Sequence, residues 1–376
     1  MARLIRNAFA RSVVAAAFAA AWSVAPASGL QGTEQALAVP ESLDGWVEAQ
    51  MAERRIPGLA LAIARDGVAV AERAYGLADV GLGVPVTTET RFALASLTKQ
   101  FTAAAILMLA EEDRVDLDAS VLEYLPSDAP REWAPVTPRH LLTHTSGLPP
   151  IGQGFSGGEG GLYQKWWIPR TVAWRAARAD RLRTAPGEAF AYSDVGYFVL
   201  GMVVETAGGA TWRDFVQTRI LDPLGMTDTF FIDPIGVHRD VADGYTLRAG
   251  ELTRLHRPWQ FELPSHFGLF SNVGDLVRWD AALRGEKLLS EASKREMWTP
   301  VRLNDGETAP YGFGWEVDRL DGRLVVYHTG ITGTEIVRVP EAGITVIVLT
   351  NLGRGFGGDA NAWGIARDIA RMLGAF

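Results

Sequence analysis

The sequence predicts an α/β (α+β) fold: one antiparallel sheet flanked by N- and C-terminal helices, with a mainly helical lobe inserted into it. Three observations point there. Apolar strand-like segments joined by Asp-Gly steps stand near both ends of the chain, at 58–75 and 314–349. The stretch between them is dominated by apolar residues at helical spacing. No internal repeat divides the 376 residues, so the two strand-rich ends are expected to share one sheet. The implied organisation is a leader over 1–27 and one domain over 28–376. Its sheet lobe covers about 40–90 and 300–376, and its helical lobe about 91–299.

Taken in order, the first segment reads as an export signal. Arg3, Arg6 and Arg11 form a basic start, 13–24 is an Ala-rich apolar run, and Ala25-Pro26-Ala27 supplies a small-x-small cleavage pattern after Ala27. The apolar run is shorter than the ~20 residues of a membrane span. No two of its arginines are adjacent, so general secretion is expected rather than the twin-arginine route. The location this implies is periplasmic or secreted, with no stable membrane anchor after cleavage.

A helix is expected over 40–54, with Leu43, Trp46, Val47 and Met51 on one face. A hairpin follows, 58–64 and 68–75, around Asp66-Gly67, a pair suited to a tight turn with positive φ. Helical spacing marks 101–112, and a short helix at 139–144 ends at Ser146-Gly147. The segment 154–161 is a Gly-rich loop. A strongly apolar helix at 197–207 ends at Gly208-Gly209, and Ser271 or Asn272 caps the helix carrying Leu276, Trp279 and Leu283. Strands return at 314–320 and 323–328 around Asp321-Gly322, then at 334–339 and 345–349 around Glu341-Ala342-Gly343. The segment 359–373 closes the chain as a helix.

Composition narrows the chemistry. The formal net charge is −8 and no basic cluster stands out, which argues against a nucleic-acid partner. There is no cysteine, hence no disulfide, thiol nucleophile or Cys-based metal site, and the six histidines form no H-E-x-x-H pattern. No metal or other cofactor is expected. The 12 tryptophans suit either core packing or the aromatic walls of a pocket.

The segment that carries chemistry is Ser96-Leu97-Thr98-Lys99. If a helix begins near Ser96, Lys99 sits one turn above it on the same face. A helix start offers unpaired N–H groups and a potential that favours negative charge. A serine there can be both nucleophile and source of an oxyanion donor, and a desolvated lysine can act as its base. An N-cap serine followed by an exposed lysine gives the same four letters, so the pattern alone decides little. Gly154-Phe155-Ser156-Gly157-Gly158 matches a G-x-S-x-G elbow, but Pro149-Pro150 before it and Glu159-Gly160-Gly161 after it fit neither the strand nor the helix that elbow needs.

Beyond Ser96–Lys99, an ordered series of segments strengthens the reading. It runs Leu141-Leu142-Thr143-His144-Thr145-Ser146-Gly147-Leu148, Pro186-Gly187-Glu188, Tyr192-Ser193-Asp194, Pro223-Leu224-Gly225-Met226, Tyr311-Gly312-Phe313-Gly314-Trp315 and His328-Thr329-Gly330. With these the chain, over roughly 56–351, resembles the serine β-lactamases, penicillin-binding D,D-peptidases and related esterases, most closely the class C-like branch. The resemblance implies that Ser96 is the nucleophile, Lys99 its base, and Tyr192 the partner that shares protons with both. It places Asp194, His328, Thr329, Gly330 and Ile331 around the substrate, with the Ile331 N–H as second oxyanion donor. His144, Glu188 and Asp275 read as structural. Two departures matter. Asp194 replaces the commoner asparagine and, when ionised, can only accept hydrogen bonds. His328 replaces the lysine of Lys-Thr-Gly and is mostly neutral at pH 7.

The expected function is therefore a secreted serine hydrolase cleaving small esters or amides through an acyl-serine intermediate, like an esterase or a D-amino-acid peptidase. The alternatives are a class C-like β-lactamase or D,D-carboxypeptidase acting on β-lactams or peptidoglycan stems, and a non-catalytic binding or sensing protein. The partner is a small ester, amide or peptide. Pocket walls are expected from 152–167 and 256–267.

Overall fold

A computed structural model of the chain describes residues 39–149, 169–179, 181–231, 236–255, 264–354 and 360–376. The export signal, the Gly-rich loop with Ser156, Trp166 and Trp167, and most of the 256–267 wall lie outside the described residues.

Helix α1 (Leu43–Arg54) buries Leu43, Val47 and Met51, four residues apart, and ends where Arg55 turns left-handed at φ 59°. The hairpin β1 (Gly58–Arg65) and β2 (Val68–Asp79) follows. Asp66 and Gly67 both have positive φ, 52° and 79°, the turn whose twist matches paired strands. A short β3 (Val84–Pro85) edges β2. At the other end of the chain stand β4 (Glu316–Leu320), β5 (Arg323–Gly330), β6 (Thr334–Val339) and β7 (Ile344–Thr350). The seven strands form one sheet in the order β4-β5-β6-β7-β1-β2-β3, each neighbouring pair antiparallel. The two chain ends meet at β1–β7, where Leu61 faces Val348 and Ala62 faces Ile347. Asn351 secures that seam, its side chain accepting from the Gly58 N–H at 2.8 Å and donating to the Leu77 carbonyl at 2.9 Å.

Strand β1 is buried along nearly its whole length because both faces of the sheet are covered. Leu59, Leu61 and Ile63 join the cluster that holds α1 and the C-terminal helix. Ala60, Ala62 and Ala64 face the larger cluster, where small side chains let helix Val273–Arg284 approach closely. Asn272 caps that helix by accepting from the Asp275 N–H at 2.8 Å.

The inserted segment is built round two helices buried on almost every side, α2 (Thr98–Glu111) and α3 (Asp194–Gly208). Ser193 caps α3 and left-handed Gly209 ends it. Two expectations on helix limits are corrected. The segment 139–144 is helical only over Pro138–Leu142, because a Thr137–His140 capping box starts it one residue earlier and His144, at φ 59°, has already left it. The last helix is Ile365–Met372, shorter than 359–373, because Gly364 at φ 95° breaks the chain before it. The insert also carries small sheets that helical periodicity does not announce. The strand Leu269–Ser271 pairs with both Phe92–Ala93 and Phe230–Phe231, and Tyr245–Arg248 pairs with Glu251–Arg254.

Behind the sheet, Arg338 and Asp280 form an ion pair in which both side chains are at most 2% exposed. Thr345 Oγ1 donates to the same carboxylate at 2.6 Å. Removing one partner strands the other charge. Asp280→Ala is expected to cost about 3–5 kcal/mol in urea unfolding, and pairing it with Arg338→Met should recover most of that loss. A double variant no better than the single would show that packing, not the stranded charge, sets the cost.

Candidate active site

The site begins with a backbone reversal. Phe92–Ala93 is held against Leu269–Ser271, and the Leu94 N–H donates to the Leu269 carbonyl at 2.9 Å. Ala95 then adopts φ 49°, a conformation that costs a non-glycine residue about 1–2 kcal/mol. The strain is held by side chains from β6 and the turn that precedes it. Thr334 Oγ1 donates to the Leu94 carbonyl at 3.0 Å and Thr332 Oγ1 to the Ala93 carbonyl at 2.5 Å. The reversal delivers Ser96, partly exposed, in a 3₁₀ turn (Ala95–Leu97) that runs into α2 at Thr98. The helix thus starts two residues after the expected position, but Lys99 still lies one turn along from Ser96.

Lys99 is wholly buried, and its Nζ has three neighbours: Ser96 Oγ at 3.2 Å, Asp194 Oδ1 at 2.7 Å and the His266 carbonyl at 3.0 Å. The rings of Tyr192 and Tyr197 lie 4.8 and 5.6 Å from it. Burial lowers the lysine's pKa, and the Asp194 carboxylate works against that fall without reversing it. Burial pushes the Asp194 carboxyl up, but Lys99, through its charge and its hydrogen bond, outweighs this and holds it low. Nζ donates to Asp194 and to the His266 carbonyl, so an amine relieved of its third proton would turn its lone pair to Ser96.

Tyr192 stands near the same serine, whose hydroxyl favours the phenol's charged form but is outweighed. Desolvation and the Asp194 charge push its pKa well above 10, so it is a protonated phenol at neutral pH. Burial is the largest cause and sets the state of this phenol.

The strand β5 forms the opposite wall. His328 is buried and tightly held: its Nδ1 lies 2.8 Å from the Thr329 carbonyl, and its Nε2 lies 2.8 Å from the Tyr311 hydroxyl. A carbonyl can only accept, so Nδ1 carries the proton and the Tyr311 O–H donates to Nε2. Burial, and then Lys99, lower the His328 pKa to about 3, so it supplies no cation. Gly330 closes against the Ser96 turn, where an added Cβ would stand 2.5 Å from the Leu94 carbonyl and 2.2 Å from Thr334 Oγ1. Ile331 follows, its carbonyl accepting from the Arg354 N–H at 2.9 Å. Ser96, Lys99, Tyr192 and Asp194 thus form one cluster, with His328, Thr329, Gly330 and Ile331 along its edge.

His144 stands behind Tyr192, ring centres 4.2 Å apart, with Nδ1 accepting from the Ser193 N–H at 3.0 Å. It braces the Tyr192-Ser193-Asp194 turn and does not touch Ser96 in any contact described here. Glu188 caps a turn by accepting from the Ala185 N–H, and Asp275 accepts from Asp228 and Thr229. Two participants were missed in the sequence. Tyr311 stands in a recognised segment, but nothing local ties it to His328. His266 contributes a backbone carbonyl, which leaves no side-chain signature. Among the described residues no group of His, Asp or Glu is arranged to hold a metal ion.

The chain is similar to known proteins over most of its length. The Beta-lactamase family model matches residues 43–371. Penicillin-binding protein 4* of Bacillus subtilis (strain 168) is 32% identical over 315 residues, 77% of this chain and 66% of that protein. Esterase EstB of Burkholderia gladioli is 37% identical over 203 residues, 50% of this chain and 51% of that one. The chain therefore spans less than two thirds of the length of either relative. The octameric penicillin-binding protein homologue from Pyrococcus abyssi superimposes with a TM-score of 0.75 at 31% identity, covering 89% of this chain and 77% of the other. The chain belongs to the Beta-lactamase family.

The buried imidazoles make a pH prediction. Burial lowers His266 and His328 from 6.5 to about 3 and His144 well below 6.5. Below about pH 6.5 the unfolded chain binds protons that the folded chain refuses, so stability falls as pH falls. Each histidine contributes about 1.4 kcal/mol per pH unit, and the loss runs down to about pH 3 for His266 and His328. Above pH 6.5 they add no slope. Urea unfolding at successive pH values should show this, and His266→Gln should flatten it by one histidine's share. An unchanged slope would mean that His266 is already protonated in the fold.

Proposed function

We propose that the chain is a secreted hydrolase that cleaves small esters or amides through an acyl-Ser96 intermediate. The carrying observation is the wholly buried Lys99, with Nζ 3.2 Å from Ser96 Oγ and its other neighbours both acceptors. In this reading the neutral amine takes the Ser96 proton as Oγ bonds to the substrate carbonyl carbon. The new ammonium forms beside the Asp194 carboxylate, which stabilises it. The oxyanion is held by the N–H groups of Ser96 and Ile331. The leaving group departs with the proton of the Tyr192 phenol, which leaves a phenolate beside the Lys99 ammonium. Water then attacks the acyl carbon as the phenolate takes its proton, and Lys99 returns the first proton to Ser96 Oγ as the acyl–oxygen bond breaks. The export signal over 1–27, with its periplasmic or secreted destination, and the single domain over 28–376 are part of the proposal.

The charge of the site supports a neutral acyl donor. His328 is neutral where a lysine would supply a fixed cation, and Asp194, its side chain 24% exposed, is negative. Among the described residues of the β5 wall a substrate carboxylate meets no fixed cation, and a substrate amine is tolerated beside Asp194. This supports an esterase or D-aminoacyl peptidase over a β-lactamase. The similarity to penicillin-binding protein 4* supports the second reading, turnover of β-lactams or peptidoglycan stems.

A fluorophosphonate should label the purified protein, and Ser96→Ala should lose both the label and at least about 10³-fold in kcat/KM. Tyr192→Phe should lose about 10²–10⁴-fold while still binding substrate. In a panel of short nitrophenyl esters, D-aminoacyl anilides and nitrocefin, the esters or anilides should turn over fastest. Nitrocefin cleaved faster than both would overturn the substrate assignment, and an intact Ser96 that never acylates would favour a binding protein.

A further inference from the structure

Resting on the acyl-Ser96 reading, we propose that Trp363 is a positioning residue for the oxyanion site: its indole N–H, donated to the Gly330 carbonyl, fixes the peptide unit whose other end is the Ile331 N–H. The contact is direct. Trp363 Nε1 donates to the Gly330 carbonyl at 2.9 Å across 33 residues of sequence. The Gly333 N–H donates to the same carbonyl, also at 2.9 Å.

The consequence follows from peptide geometry. In a trans peptide the C=O and N–H point in opposite directions within one rigid plane. The Gly330 carbonyl and the Ile331 N–H belong to the same plane. Two donors on the carbonyl therefore set where the N–H points, on the side away from Trp363. They also polarise the amide, which strengthens that N–H as a donor. Gly330 itself has no side chain to resist rotation, so this end of β5 needs an external hold.

Trp363 is in turn held in place. Its own N–H donates to Asn361 Oδ1 at 3.2 Å. Just after it, Glu335 Oε2 accepts the N–H groups of Gly364 and Ala366, both at 3.0 Å, at the start of the C-terminal helix. Glu335 is buried on β6 directly opposite Thr329. The C-terminal helix is thereby pinned to the strand beside the one that carries the oxyanion donor. Nothing about residue 363 in the sequence announces this, since it lies past the last matched segment.

The test removes the N–H and keeps the ring. Benzothienylalanine at 363 replaces it with sulfur at nearly unchanged shape, and Trp363→Phe is the genetic counterpart. With p-nitrophenyl acetate, the acylation rate constant at saturating ester should fall about tenfold, part of the 10²–10³ that outright loss of a donor costs. The ester concentration giving half that rate should change less than about twofold. Affinity for a boronic-acid analogue of the tetrahedral intermediate should weaken by about the same tenfold. The thermal midpoint of the benzothienylalanine protein should stay close to wild type. Unchanged acylation and analogue affinity would overturn the proposal. So would a shift confined to the half-saturating concentration, which would make Trp363 only a pocket wall. If the unaltered protein is not acylated at all, the acyl-Ser96 reading fails first and the positioning role falls with it.

Discussion

The structure depends on one desolvated lysine. Lys99 has no exposed surface, and an amine without water must find its acceptors in the protein. They come from three separate places: the serine one turn before it, the carboxylate that opens α3, and a backbone carbonyl just ahead of strand Leu269–Ser271. Each requirement fixes a piece of the fold. The α3 N-terminus must point at α2, the 264–271 stretch must pass beside it, and the chain before Ser96 must reverse within a single residue. The left-handed Ala95 is the local strain of that reversal, and the threonine bonds from the β5–β6 turn and β6 offset it.

The same burial sets the electrostatics. Three imidazoles surround the cluster, and all are held neutral by desolvation and by their proximity to Lys99. They work as shaped polar spacers. His144 backs Tyr192, and His328 accepts a hydrogen bond from the Tyr311 hydroxyl and donates one to the Thr329 carbonyl. The lone anion of the cluster is Asp194. It raises the pKa of both Lys99 and Tyr192, so it is burial, lowering the lysine and raising the tyrosine, that separates a base from an acid across the same serine.

Much of this was legible along the chain. Short apolar segments joined by Asp-Gly turns marked the hairpins, because both are local: Asp66-Gly67 and Asp321-Gly322 carry their own geometry. The buried helices could be read from apolar spacing. Helix limits were less legible where a single residue in an unusual conformation decided them, as at His144 and Gly364. The small strands round Leu269–Ser271 escaped because two or three residues give no periodicity.

The sequence by itself determined which residue types were available and where each stood: a serine three residues before a lysine, a tyrosine two residues before an aspartate, and a histidine before Thr-Gly. Those are short-range facts, and ordered motifs preserve them. Only the tertiary structure decided their states. That Tyr192 stays protonated, that His328 carries no charge, and that Trp363 reaches the Gly330 carbonyl all depend on desolvation and on contacts between residues far apart in the chain. Protonation is set by the groups that surround a side chain in space, and no spacing along the sequence encodes it.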